Sequence, residues 1–98
     1  MNAIDELREA IKRLHGVESR HIESVPVKEM FQGKTVWEGI VEVFELVGHE
    51  KASRLYAWIQ DVDGKKRHFT VLHVAPVDSP LAAVRAAILH DYRNAQEA

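Results

Sequence analysis

The chain has no cysteine. Disulfide frameworks, cysteine-ligated zinc, iron–sulfur clusters and thiol nucleophiles are therefore excluded, and a reducing compartment is the natural setting. Long apolar runs are missing too. The N-terminus, "MNAIDELREAIKRL", is charged throughout, with neither the apolar core of a signal peptide nor the roughly 20 residues of a membrane span. No membrane partner is expected, and the expected location is cytoplasmic. There is little net charge: 13 Lys and Arg stand against 15 Asp and Glu, for a formal net charge of -2. No global positive field gathers a phosphate backbone, so nucleic acid is disfavoured as a partner except through a local patch. The five glycines, Gly16, Gly33, Gly39, Gly48 and Gly64, are isolated and form no phosphate-cradling loop.

What remains is the composition of one folded domain, 1–98, with 46% hydrophobic and 29% charged residues. Ile4, Leu7, Ile11 and Leu14 recur at helical spacing before Gly16, a natural left-handed stop, and predict a helix over about 3–15. Residues 17–35 mix short apolar pieces with Pro26 and Gly33 and read as an irregular or edge-strand connection. Alternation then predicts strands over about 36–47, 54–62 and 67–74, the last two joined by Asp63-Gly64, a type I′ hairpin signal. Ser79 is a good N-cap and Pro80 a good first helical residue, opening a helix over about 80–94 with a core stripe of Leu81, Val84, Ile88 and Tyr92. The expected fold is therefore α+β, a two-layer α-β-β-β-α domain with both helices on one face of a three-stranded antiparallel sheet. Leu55, Ala57 and Ile59 are assigned to the helix side, which sends Tyr56 and Trp58 outward.

Six histidines raise the question of a metal or an acid–base site. His68 and His73 sit at an odd separation on one strand and project to opposite faces; His15 and His90 fall in the last turns of helices, where partial positive charge suits the dipole. No HExxH motif or carboxylate cluster is present, so neither a metal site nor a cofactor is expected. Ser19, Ser24, Ser53 and Ser79 lack the context of an activated nucleophile, and His90 and Asp91 point about 100° apart on a helix. No catalytic residue is assigned. An enzyme with His49 or His73 as base would need a partner carboxylate that the sequence does not place.

The helix, three-strand meander, helix order resembles the double-stranded RNA-binding domain, a family that reads duplex RNA by shape. The resemblance implies a minor-groove contact for His49 in "GHEKAS"; the second helix departs from the family by opening "VDSPLAAVR", with Asp78 and no lysine at the phosphate clamp. The wording "SVPVKEMFQGKTVWEG", "VFELVGH", "YAW" and "VDSPLAAVRAAI" is similar to a group of small uncharacterised bacterial proteins, which implies a bacterial, cytosolic domain. The leading expectation is a noncatalytic protein-interaction or adaptor domain, self-association included, using the outer sheet face and the 48–53 loop through Phe44, His49, Tyr56 and Trp58. The alternative is a nucleic-acid-binding module with Lys51, Arg54, Lys65, Lys66 and Arg67 on phosphates.

Overall fold

The computed structural model describes residues 2–97, with side chains to Arg93. The order is α1 (Ala3–His15), β1 (Glu18–Phe31), β2 (Lys34–Val47), β3 (Arg54–Val62), β4 (Lys65–Leu72) and α2 (Pro80–Glu97). The four strands form one antiparallel meander, β1-β2-β3-β4. The sheet thus has one strand more than the sequence predicts.

The extra strand is β1, drawn from the stretch expected to be an irregular or edge-strand connection. It lies at the sheet edge, where one row of backbone groups needs no partner and a proline's missing N–H is tolerated; Pro26 sits opposite Ile40. Its hairpin to β2 turns on Gln32 and Gly33, with φ of 52° and 77°. These are the two positive angles of a type I′ turn, and Asp63 and Gly64 repeat them at 53° and 77° in the β3–β4 hairpin. Ile22 is an extra residue in β1 and Val36 an extra residue in β2, so each strand carries one bulge.

The helices do not share a face, contrary to the expected two-layer arrangement. Leu7 and Ile11 of α1 pack with Phe44, Leu46, Leu55 and Ala57, whereas Ala83 and Val84 of α2 pack with Val27, Val41, Val43, Tyr56 and Trp58. Strand residues alternate between faces, so these two sets are opposite sides of one sheet, and the sheet is sandwiched between the helices. The physical reason is in β3: Leu55, Tyr56, Ala57 and Trp58 are four consecutive buried residues, and only a strand covered on both faces buries both parities. β4 follows suit, with Leu72 on the α1 side and Phe69 and Val71 on the α2 side.

Local signals fix both helices. Asn2 Oδ1 accepts the Asp5 N–H at 2.9 Å, and Gly16 in the left-handed region donates to Lys12 O at the other end of α1. Ser79 Oγ accepts the Ala82 N–H at 3.1 Å and caps α2. The ladder between β2 and β3 runs only from Glu42–Ala57 to Glu45–Arg54. Beyond it the outer half of the long β1–β2 hairpin is held by α2 and by Trp37, whose indole N–H donates to Gln60 at 3.1 Å.

Candidate functional site

Of the four residues expected to form the interaction surface, three are in the core. Phe44 is buried under α1, and Tyr56 and Trp58 are buried under α2. Covering both faces leaves no open sheet surface for them. His49 is the exception, and its work is local: Nδ1 accepts the N–H groups of Lys51 and Ala52 at 3.0 and 3.1 Å, fixing the 48–53 loop as a corner. Its ring meets His15 edge-on, with centroids 6.1 Å apart. His15 Nε2 lies 3.0 Å from Thr70 Oγ1, and burial, then the neighbouring His49, holds its pKa below the usual histidine range. The positive charge that a helix C-terminus would favour is thus opposed at His15 by desolvation. With Val17, Gly48 and Leu72 the two rings line a shallow pocket of 370 Å³.

The candidate phosphate contacts are not brought together. Lys51 and Arg54 lie at one end of β3, whereas Lys65, Lys66 and Arg67 pair with Val62, Asp61 and Gln60 at the other, roughly 20–26 Å from Arg54 at about 3.3 Å per residue. Lys66 Nζ is 3.5 Å from Glu6, and the Arg67 guanidinium sits over the Phe69 ring at 4.9 Å. Two of the three cations at the hairpin, Lys66 and Arg67, therefore have internal partners.

Polar clusters with acid–base character occur on both faces. On the α1 face beyond the helix, His21 Nε2 lies 2.8 Å from Glu42 Oε1, and the Ser24 hydroxyl donates to the same carboxylate oxygen. Ser24 is 3.5 Å from His21 Nε2. An activated serine needs its proton aimed at the imidazole, and here it is aimed at the carboxylate. On the α2 face the Tyr56 hydroxyl lies 2.6 Å from His73 Nδ1, and burial pushes the Tyr56 pKa up. Among the described residues no three His, Asp or Glu side chains converge as a metal site would require.

The feature that stands out is apolar. Where the β1–β2 hairpin tip meets the C-terminal half of α2, a groove of 630 Å³ is lined by Glu29, Met30, Phe31, Val36, Arg85, Ile88, Leu89 and Tyr92. Five of these are large hydrophobic side chains left open to solvent: Met30 47%, Phe31 64%, Val36 50%, Leu89 53% and Tyr92 62%. Its two charges are spent on each other, since the Arg85 guanidinium donates to the Glu29 carboxylate. That contact holds Glu29 below the usual carboxylate range and raises Arg85. The bulge at Val36 and the turn at Gln32-Gly33 set the hairpin half of the groove; the helical spacing 85, 88, 89, 92 sets the other half. The scan against family models and the searches of curated proteins and of solved structures find no match for this chain.

The sequence reading missed this groove for two reasons. Tyr92 fits the core period of α2 with Leu81, Val84 and Ile88, yet the sheet ends before the helix does, and Tyr92 projects past it. Met30 and Phe31 fall within 17–35, which the sequence assigns to an irregular or edge-strand connection. Two adjacent apolar residues beside a hairpin turn, with Leu89 off the core stripe, are the signals that mark the patch.

Proposed function

We propose that this is a noncatalytic protein-interaction domain that docks a partner polypeptide in the groove between the β1–β2 hairpin tip and α2. The supporting observation is the convergence of Met30, Phe31, Val36, Leu89 and Tyr92 around one recess. Isolated exposed hydrophobics are ordinary; a contiguous patch that sequence economy would otherwise have made polar marks an interface. The absence of unpaired charge in the lining selects an uncharged contact surface on the partner.

A photo-reactive benzophenone side chain placed at position 89 in living cells tests this. The expected result is a protein adduct of discrete mass that disappears when Phe31→Glu is added, while the same group at exposed Glu9 on α1 gives none. Equal labelling at both positions, or an adduct that survives Phe31→Glu, overturns the proposal.

A further inference from the structure

We infer that the occupant of the groove is a second copy of this chain, in a two-fold dimer in which each Phe31 enters the partner's recess. The inference rests on the reading of the groove as a docking surface. A two-fold interface must be complementary to itself, so one patch has to carry both a protrusion and a recess that fits it. This patch does. Phe31, beside the Gln32-Gly33 turn, is the most exposed large hydrophobic residue described, and it stands on the rim of the recess it lines together with Met30, Val36, Leu89 and Tyr92.

The helix half of the patch is also suited to its own copy. Arg85, Leu89 and Tyr92, with Ile88 alongside, lie at the i, i+4, i+7 spacing that packs one helix against another. Charge agrees with this choice of partner. Glu29 and Arg85 neutralise each other within one chain, so two copies closing on the groove bury no uncompensated charge and bring no like charges together. An acidic or basic partner would find nothing here to pair with.

Area sets the size class. The exposed fractions of the five side chains amount to roughly 400–700 Å² per chain if large apolar side chains are taken as about 150–250 Å² each. Two copies and a polar rim then reach the ~1,200 Å² at which specific interfaces begin. Interfaces near this lower bound belong to the weak, transient class, so monomer and dimer are expected to exchange with concentration.

Sedimentation equilibrium of the full chain, from a few micromolar to about 1 mM, tests this, with Phe31→Glu and Leu89→Glu as two independent variants at exposed positions. The expected result is a concentration-dependent dimer that each variant weakens at least tenfold, with thermal midpoints close to the parent. Because the chain has no cysteine, Leu89→Cys adds a single thiol, and mild oxidation should link two copies through it where Glu9→Cys does not. A monomer at every concentration overturns the inference. So does a dimer insensitive to both variants, which would belong to another surface such as the open edge of β4. If the chain is monomeric but position 89 still crosslinks to a different protein, the second copy fails and the groove as a docking surface stands.

Discussion

At the scale of single residues, His49 and His15 show how imidazoles serve this fold. Because His49 Nδ1 accepts two backbone N–H groups, the loop is built around an unprotonated nitrogen at that position. His49→Ala should cost about 1 kcal/mol and speed amide exchange at Lys51 and Ala52 specifically, while His49→Asn, which keeps an acceptor, recovers part of the loss; hydrogen exchange by NMR reads this directly. His15 carries a pH dependence whose sign follows from burial. Its folded pKa lies below its unfolded value near 6.5, so its contribution is complete above about pH 6.5 and is lost as pH falls through the folded pKa. The thermal midpoint should therefore drop between about pH 7 and pH 5, and drop less in His15→Gln. Glu6, Glu18 and Glu29, with pKa values lowered by His68, Lys12 and Arg85 respectively, add their own loss only below about pH 4.5.

At the scale of elements, the β1–β2 hairpin is the part that determines the candidate site. Its turn uses Gln32 at φ 52°, a conformation Asn adopts more readily than Gln, followed by Gly33 at φ 77°. Gln32→Asn should stabilise the domain by about 0.5 kcal/mol, and Gly33→Ala should destabilise it by about 1 kcal/mol, both measured as shifts of the urea midpoint. A Cβ at Gly33 would meet nothing within 4 Å, so any loss there is backbone strain and not a clash. The same hairpin explains why the element was hard to see in advance. "FQGK" lacks the Asn-Gly or Asp-Gly pair of a strong turn signal, whereas "VDGK" has it, and the β3–β4 hairpin was legible for that reason. Pro26 argues against a central strand and leaves an edge strand open; that β1 takes the edge position is a fact of topology.

At the scale of the whole molecule, β3 is shared by two cores. Leu55 and Ala57 belong to the α1 side, Tyr56 and Trp58 to the α2 side, so neither core can be lost without disturbing the other's central strand. Unfolding should be a single cooperative transition. Both tryptophans, Trp37 and Trp58, lie on the α2 side with ring centroids 5.7 Å apart, and their fluorescence reports that side alone. Fluorescence and far-ultraviolet circular dichroism should give one midpoint in urea. Phe44→Ala, a truncation on the α1 side costing about 3–5 kcal/mol, should move both signals equally; a shift in dichroism that leaves tryptophan fluorescence behind would mean that the two faces unfold separately.

By itself the sequence determined the antiparallel α+β class, the capped helices, the Asp63-Gly64 turn and the strand character of β2 and β3, because each is written in neighbouring residues a few positions apart. Even the packing of Trp37 over Gly39 is local: a Cβ there would meet the indole at 3.0 Å. What only the tertiary structure decided is which helix covers which face, and with it the fate of Phe44, Tyr56 and Trp58. Period two tells that successive residues face opposite ways, not which way is outside. The run Leu55–Ile59 is apolar on both parities, and its consequence, a sheet covered on both sides, depends on where chain ends far apart in sequence return. The groove depends on the same non-local geometry: α2 outruns the sheet, the β1–β2 hairpin outruns the ladder from β2 to β3, and the apolar residues at the two overhanging ends meet with no other described residue covering them.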